Sequence, residues 1–291
     1  MRFLDVKTDF AFKKVFGSER SKPLLINFLN AILDYTGEYA ITDLTIIDPY
    51  QAPAIKGMKD TFVDVKAILA NGSTVIIEMQ VLNVEGFEKR VLYNAAKTYA
   101  AQLDKGEQYS LLNPVIALTF VDFIMFPEQR ETLSRYKLLE TQTLTHYSDD
   151  IELIFIELPK FTLSLDDLNN IHDKWIYFVK NAGKLDYIPD ALMVEASINE
   201  AFGIANEAGL TKAELEAQEK RHDFIRLQRG SIEKALHDGL LKGRTEGLVA
   251  GRAEGATEKA LEIARNLLDV LDDATIARKT GLTEAEIKAL R

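Results

Sequence analysis

The sequence predicts an α/β fold built on a mixed sheet, followed by an all-α C-terminal region. Up to about residue 165, apolar runs of strand length alternate with amphipathic helical segments. After that point the strand signals stop, and a stretch rich in Ala, Lys, Glu and Arg follows. Alternating strands and helices are typical of a sheet covered by helices, whereas a remainder without strands indicates helices packed on helices.

Local patterns predict each element in turn. A first helix should start near Thr8 and end at Gly17, and a second should follow the Ser21-Lys22-Pro23 start. Segments rich in β-branched or continuous apolar residues predict strands. The predicted strands are Ile41–Ile47, Thr61–Leu69, Ser73–Val81, Val115–Phe120 and Glu152–Glu157. A further helix, Val84–Lys105, completes the order helix, helix, strand, strand, strand, helix, strand up to residue 121.

Composition excludes several classes of protein. The 291-residue chain has no cysteine, which excludes disulfides, thiolate zinc sites, iron–sulfur clusters and cysteine nucleophiles. Its net charge of −10 argues against a passive nucleic-acid coat. The sequence contains no Gly-x-x-x-x-Gly-Lys-Ser/Thr loop, so no nucleotide cofactor is expected. No apolar run approaches the length of a membrane helix, and the N-terminus has acids where a signal peptide would be apolar. These features predict a cytoplasmic protein without a membrane partner.

The stretch 60–81 predicts a β-hairpin around Asn71-Gly72. A two-residue loop would mix apolar and charged side chains on each face. A three-residue loop, 70–72, instead sorts the side chains cleanly and places Asp64 opposite Glu78. Because a slip of one residue moves every side chain to the wrong face, the cleaner register should win. The predicted apolar face holds Val63, Val65, Ala67, Leu69, Val75, Ile77 and Met79.

Two carboxylates then face each other across the strand pair, with Cβ atoms about 4.5–5.5 Å apart. Like charges in this position are destabilising unless something neutralises them. A hard divalent cation such as Mg²⁺, which prefers carboxylate oxygens, would do so. The alternative interpretation is a solvated sheet face on which Lys66 offsets Asp64 and Glu78.

Asp64, thirteen intervening residues and then Glu78-Met79-Gln80 resemble the Asp…Glu-x-Lys signature of the PD-(D/E)XK nucleases. The chain resembles, more closely, the recombination-promoting nuclease group, also described as PD-(D/E)XK nuclease family transposases. The resemblance extends over nearly the whole chain. The segments that carry it are TDFAFKKVFG (8–17), VDVKAILANGSTVIIEMQ (63–80), the helix with Arg90 and Tyr93, AAQLDKGEQYSLLNPVIAL (100–118), IFIELPKF (154–161), the glycine-repeat arm and IARKTGLTEAEIKAL (276–290).

The resemblance implies a restriction-endonuclease-like core of helix, mixed sheet and helix, and cleavage of DNA with Mg²⁺ or Mn²⁺. Asp64 and Glu78 would be the metal ligands, together with the backbone carbonyl of Met79. Asp9 stands where many members of the family have a further acid. The alternative for Asp9 is an exposed acid paired with Lys13, four residues on in the helix.

The sequence departs from the family pattern at Gln80, where lysine is usual. Glutamine orients water by hydrogen bonds but brings no positive charge. Lys66 and Arg90 are the two candidates to supply that charge. Tyr93, one turn after Arg90, is a candidate phosphate contact through its hydroxyl, or else an amphipathic core residue.

The C-terminal part divides into a helical extension (166–212), a glycine-repeat helical arm (213–260) and a small helix-turn-helix-like tail (261–291), after the nuclease-like core (1–165). Glycine recurs every four residues from Gly239 to Gly255. A four-residue step turns a helix by about 40°, so the glycines form a slowly winding ridge that permits close helix approach. We therefore expect a homodimer through residues 220–260.

Charge in this region leaves its role open. Between Lys220 and Arg265 the chain has ten basic and seven acidic residues, a small excess that favours a solvated helix over a DNA-contacting arm. The second helix of the tail, which would be the recognition helix, offers only Lys288 and Arg291 to read bases, which favours packing or partner binding. The leading hypothesis is a Mg²⁺-dependent DNA endonuclease. The alternative is a catalytically weak nuclease fold that serves as a DNA-binding or regulatory module.

Overall fold

The computed structural model describes residues 1–51 and 60–291. The chain forms two compact units, Met1–Arg226 and Leu227–Arg291. The division predicted at residues 165, 212 and 260 stays a prediction. Within the described ranges, no helix combines the length and apolar character that a bilayer-spanning segment needs.

The first unit contains a six-stranded mixed sheet. Its strands lie in the order β1-β4-β5-β6-β8-β7, and β2 and β3 form a separate two-stranded ladder. β5, β6 and β8 run parallel to one another, whereas β1 and β4 at one side and β7 at the other pair antiparallel. The bounds are β1 Leu44–Ile47, β2 Tyr50–Gln51, β3 Thr61–Phe62, β4 Val65–Leu69, β5 Thr74–Gln80, β6 Val115–Val121, β7 Leu133–Leu139 and β8 His146–Glu157.

Helices cover both faces of this sheet. One face packs against the helices Asp9–Phe16, Lys22–Leu33, Ile171–Asn181 and Ala196–Ala205, and the other face packs against the helix Phe87–Ala100. The helices are α1 Asp9–Phe16, α2 Lys22–Leu33, α3 Phe87–Ala100, α4 Ile171–Asn181, α5 Asp190–Met193, α6 Ala196–Ala205, α7 Lys212–Leu267, α8 Asp273–Thr280 and α9 Glu284–Ala289. This arrangement confirms the predicted α/β core followed by a helical C-terminal region.

Aromatic packing fixes α1 and α2 on the sheet. Phe16 and Phe28 are fully buried, with ring centroids 4.4 Å apart. Trp175 of α4 lies against both, and its indole N–H donates to Asn27 Oδ1 at 2.8 Å. Trp175, which is fully buried, thus anchors this part of the core. Burial of large aromatic rings stabilises a core strongly, so the position of α1 relative to the strands is well determined.

Local chemistry explains where α1 begins. Thr8 has extended backbone angles, and its hydroxyl accepts a hydrogen bond from the N–H of Ala11. This is the N-cap arrangement, which satisfies a donor that the helix leaves unpaired. Phe12, Val15 and Phe16 recur at helical spacing and are buried. The predicted first helix is therefore confirmed at both ends.

Three strand predictions needed correction. The segment Thr61–Leu69 is not one strand, because the chain leaves the ladder at Val63 and Asp64 before β4 begins. β7 was missed, since its mostly exposed sequence at the sheet edge lacks the alternation of a half-buried strand. β8 begins at His146, earlier than the apolar part of the strand indicates.

The second unit consists of the greater part of α7 with α8 and α9. α7 is one helix of 56 residues. Ala264, Ile276 and Ile287 are fully buried and form a small core. Gly281 ends α8 with a φ of +76°, and Thr283 with Glu286 forms the capping box of α9. Local signals determine helix ends in this tail.

Candidate active site

The β4–β5 hairpin has the predicted register. Val65 lies opposite Ile77, and one further step along the same register places Asp64 opposite Glu78. The N–H of Gly72 donates to the carbonyl of Leu69 at 2.9 Å, which closes a three-residue loop. Gly72 has a φ of +88°, a conformation that favours glycine because L side chains rarely adopt it. The predicted three-residue loop, chosen because it separates apolar from charged side chains, is therefore confirmed.

Asp64 lies at the break between β3 and β4. Its own N–H donates to the carbonyl of Ile77 at 3.0 Å, and its Oδ2 accepts from the N–H of Met79 at 2.8 Å. Oδ1 forms an ion pair at 3.3 Å with Lys13 of α1. Burial raises the pKa of Asp64, against the lowering effects of the Met79 hydrogen bond and of Lys13. The backbone thus holds a buried carboxylate in one orientation.

Glu78 lies on the central strand β5, beneath α3. Its Oε1 accepts from Asn94 Nδ2 at 3.3 Å, and Arg90 Nε lies 3.9 Å away. Only 9% of Glu78 is exposed. Burial raises its pKa to about 7, Arg90 lowers it, and the charge of Asp64 raises it further. Near neutral pH this carboxyl group is consequently poised between its acid and its carboxylate.

One assignment of faces was wrong. Val65, Ile77 and Met79 lie on one apolar face, as predicted, and this face packs in the same core as α1 and α2. Val63 instead packs with Ile76 on the α3 side. The reason is the irregular backbone at positions 63 and 64, where the strict alternation of a strand no longer holds. Glu78 also lies on the α3 side, where it contacts that helix and does not point toward the Val65 side.

Gln80 is held by two neighbours. Its Nε2 donates to the carbonyl of Leu82 at 2.7 Å, and its Oε1 accepts from Arg90 Nη2 at 2.7 Å. Arg90 therefore reaches both Gln80 and the vicinity of Glu78. Two buried polar atoms beside Glu78, Arg90 Nε and Asn94 Oδ1, have no hydrogen-bond partner among residues 1–51 and 60–291. Buried polar groups are normally satisfied, so these two atoms mark a place where a ligand or water completes the site.

Two further predicted residues lie apart from the carboxylates. Half-burial lowers the pKa of Lys66, which interacts electrostatically with Asp48. The ring of Tyr93 lies under Lys97, with 5.9 Å from Nζ to the ring centroid. In the part of the chain that the structure describes, no hydrogen bond or ion pair joins Lys66 or Tyr93 to Asp64 or Glu78. A role for either residue in the reaction stays a prediction.

Asp9 has a different partner from the one its helix position indicates. Its Oδ1 forms an ion pair with Arg221 of α7, whose Nε lies 2.9 Å away, whereas Lys13 pairs with Asp64. The alternative pairing of Asp9 with Lys13 is therefore not formed. The charge of Asp9 contributes weakly to raising the pKa of Asp64, after burial as the main cause.

The start of α7 is attached to α1 by polar contacts within the first unit. The Thr8 hydroxyl donates to Gln218 Oε1 at 3.1 Å, and Gln218 Nε2 lies 2.9 Å from His222 Nε2. Lys14 pairs with Glu214 at 2.6 Å. Gln218 is only 3% exposed. These contacts, together with the Asp9–Arg221 pair, position the helix that carries Lys13.

Sequence reasoning missed Lys13, Asn94 and Arg221 as neighbours of the site. Asn94 had a usable signal, because it follows Arg90 by four residues and so lies on the same helix face. Lys13 lies in the TDFAFKKVFG segment but shows no periodic link to the hairpin. Arg221 is separated from Asp9 by more than two hundred residues, and only the packed structure brings them together.

Two family models match the chain. Residues 6–235 match the model described as "PD-(D/E)XK nuclease family transposase". Residues 257–291 match the model described as "Rpn/YhgA-like nuclease family, C-terminal HTH domain". Neither a curated protein nor a solved structure matches significantly.

Proposed function

The chain belongs to the PD-(D/E)XK nuclease family of transposases, and we propose that it is a metal-dependent endonuclease that hydrolyses phosphodiester bonds of DNA. The observation that carries the proposal is the pair of buried carboxylates, Asp64 and Glu78, held in register across β4 and β5. Buried acids with raised pKa values cluster at functional sites, since a core that serves only stability avoids them. Recombination or a transposition-like event would be the biological use, in the cytoplasm as the sequence predicts.

The donor set fits a hard divalent cation, Mg²⁺ or Mn²⁺. Asp64, Glu78 and the carbonyl of Met79 would hold it, and all are oxygen donors of the type that Mg²⁺ prefers. Lys13 lies at Asp64, where a positive charge offsets the carboxylate. No group of three His, Asp or Glu residues suited to a metal occurs within the described ranges, so the ion would keep several waters. When bound, it would activate water and stabilise negative charge on the phosphate.

The protein's own groups would orient the reaction. Met79 N–H fixes Asp64 through Oδ2, which leaves Oδ1 directed toward Lys13. Asn94 holds Glu78 from α3, and its unpaired Oδ1 is available to accept a hydrogen bond from water. Because these contacts come from the backbone and from two packed helices, the carboxylates are preorganised before substrate arrives.

Cleavage of supercoiled plasmid DNA tests this function. We expect the purified full-length chain to nick or linearise plasmid in millimolar Mg²⁺ or Mn²⁺, and to leave it intact in EDTA. Gel electrophoresis of the topoisomers gives the readout. Cleavage that persists undiminished in EDTA would contradict the metal-dependent mechanism.

The second candidate is a catalytically weak nuclease fold that binds DNA or regulates it. Gln80 motivates it, because glutamine brings no positive charge to the site and its amide is held by Arg90 and the Leu82 carbonyl. The helix-turn-helix domain at 257–291 supplies a DNA-binding element for this role. Within this domain Arg291 is paired with Asp273 at 3.0 Å, so it is already engaged. Tight DNA binding without any metal-stimulated cleavage would favour this candidate.

Metal should stabilise the folded protein through the same two carboxylates. A ligand that binds only the folded state adds RT ln(1 + [L]/Kd) to its stability, which is about 2.7 kcal/mol at a hundredfold excess over Kd. We expect millimolar Mg²⁺ or Mn²⁺ to raise the melting temperature of the wild type but not of Glu78→Ala. Thermal unfolding followed by circular dichroism measures both. Equal shifts in the two proteins would mean that the cation binds elsewhere.

We also propose that two copies pair through the arm of the second unit. A Cβ added at Gly239, Gly243, Gly247, Gly251 or Gly255 would meet no described atom within 4 Å, so the glycine ridge is open along its length. The next stripe of the helix carries Leu236, Leu240 and Leu248, each more than half exposed. An exposed ridge that permits close approach, flanked by exposed leucines, suits a second copy of the same helix related by twofold symmetry.

Bulky residues on the ridge should separate the copies. We expect the double variant Gly247→Leu with Gly251→Leu to sediment as a monomer in sedimentation velocity. The helix content of this variant should rise, because glycine is a poor helix former. A matched control is Thr245→Leu with Ala253→Leu, which adds similar bulk away from the ridge and should leave the dimer intact. A wild type that sediments as a monomer at high micromolar concentration would refute the pairing.

A further inference from the structure

Position 80 carries glutamine, where the family pattern has a positively charged lysine. Gln80 donates one hydrogen bond to the Leu82 carbonyl and accepts one from Arg90, each at 2.7 Å, which fixes the orientation of its amide. An amide has two N–H donors and two lone pairs on its oxygen, so these contacts leave one donor and one acceptor position for water or a phosphate oxygen. Position 80 therefore offers hydrogen bonds but supplies no positive charge.

Lys13 places a positive charge at the carboxylates from a different element. Its Nζ lies 3.3 Å from Asp64 Oδ1. It also acts on Glu78, whose pKa is raised chiefly by burial and lowered by Arg90 and, more weakly, by Lys13. The ammonium is thus within electrostatic reach of both acids, although it starts from α1 and not from the hairpin.

Lys13 is also open to an incoming substrate. Its side chain is 43% exposed, in contrast to 12% for Asp64. It lines a cavity of about 620 Å³ together with Lys14, Ser18 and Arg20, as well as Glu200. Lys13 thus contacts the Asp64 carboxylate and also borders an open space that Lys14 and Arg20 line.

The other cations near the site are less available. Lys66 interacts with Asp48 and makes no ion pair with Asp64 or Glu78 in the described part of the chain. Arg90 is engaged by Gln80, and its Nε is buried. Lys13 and Arg90 each pair with one of the carboxylates, and their side chains are similarly exposed, at 43% and 39%. Arg90 also donates to Gln80, whereas Lys13 is directed at Asp64.

We propose that Lys13 is the catalytic cation of this site and contacts a non-bridging oxygen of the scissile phosphate; this rests on the proposed nuclease function. In the hydrolysis, a water oxygen bonds to phosphorus while one ester P–O bond breaks. The attacking water releases a proton to solvent, and the departing oxygen takes a proton from water. Lys13 stays protonated throughout and stabilises the charge that builds on the phosphate oxygens.

Single-turnover cleavage of a labelled duplex separates catalysis from binding. We expect Lys13→Met to lower the cleavage rate at saturating DNA by about a hundredfold, as for loss of one preorganised electrostatic contact. The Kd for DNA should change far less. Lys13→Arg should recover part of the rate, because it keeps the charge with a different shape. The matched control is Lys22→Met, a lysine that pairs with Asp43 outside this cavity and should cleave nearly as fast as the wild type.

A second readout does not depend on activity. Mg²⁺ should still raise the melting temperature of Lys13→Met, because Asp64 and Glu78 remain. If that stabilisation is lost, Lys13 only positions Asp64 and the catalytic assignment is overturned. If the wild type cleaves DNA and Lys13→Met cleaves equally fast, the assignment of Lys13 is overturned while the nuclease function stands. The same conclusion follows if Lys13→Met raises only the Kd for DNA and leaves the cleavage rate unchanged. An inactive wild type would overturn the proposed function and the assignment with it.

Discussion

Asp64→Asn should lose metal-dependent DNA cleavage by about a thousandfold, the largest effect we expect from a single substitution. The change keeps the shape of the side chain and leaves an oxygen to accept from the Met79 N–H. It removes one of the two carboxylate charges that would hold the cation. Metal ions contribute several kcal/mol of charge stabilisation, and each 1.36 kcal/mol is about a tenfold change in rate.

The measurement is the single-turnover rate on duplex DNA in millimolar Mg²⁺. Asp43→Asn is the matched control, since Asp43 is an exposed acid paired with Lys22 at the opposite end of the hairpin and should retain full activity. The fold of both variants is checked by circular dichroism. A wild-type rate in Asp64→Asn would remove Asp64 from the reaction.

The second large effect concerns Glu78 and stability in the absence of metal. Burial raises the pKa of Glu78 from its ordinary value of 4.5 to about 7 in the folded protein. The folded state therefore binds a proton more tightly than the unfolded chain does. Between about pH 4.5 and 7 the unfolded chain has already lost this proton, so rising pH favours unfolding. The free energy of unfolding should fall across that window.

Glu78→Gln should abolish the loss of stability that ionisation of Glu78 causes as the pH rises, because the amide resembles the protonated acid and does not ionise. The rise in the pKa of Glu78 on folding corresponds to about 3 kcal/mol of unfolding free energy, so the variant should be more stable than the wild type by up to that amount at pH 8. Urea unfolding at several pH values in EDTA measures the difference. Below pH 4.5 the two proteins should have similar stability.

Glu85→Gln provides the control for Glu78→Gln, because Glu85 is exposed. Its stability curve should run parallel to that of the wild type. A Glu78→Gln curve that also runs parallel to the wild type would mean that Glu78 ionises normally in the fold. Asp64, whose pKa is raised by burial as well, contributes with the same sign and is unchanged in both variants.

The hairpin register could be predicted from sequence alone, for a definite physical reason. In a two-stranded ladder with one buried face, a slip by one residue moves every side chain to the opposite face. Only one loop length put Val65, Ile77 and Met79 together, and the structure has that loop with Gly72 at positive φ. Thr8, Gly281 and the Thr283–Glu286 capping box were also predictable, since helix ends depend on neighbouring residues.

Prediction from sequence failed where the energetics are not local. β7 lies at the exposed edge of the sheet, where no buried face imposes an alternating pattern. The break at Val63 and Asp64 interrupts a run of residues with high strand propensity, and propensity gives way to tertiary packing.

The sequence by itself determined the α/β core, the pairing of Asp64 with Glu78 across the hairpin and the helical tail. Only the tertiary structure decided which cations and amides surround that pair. Lys13 comes from α1, Asn94 and Arg90 come from α3, and Arg221 reaches Asp9 from α7. These contacts depend on how whole helices dock on the sheet, which is fixed by buried aromatic and aliphatic packing summed over the core. The spacing of residues along the chain does not reveal how helices dock, because docking depends on many contacts between distant segments. The register of two strands joined by three residues depends almost entirely on the residues of that segment.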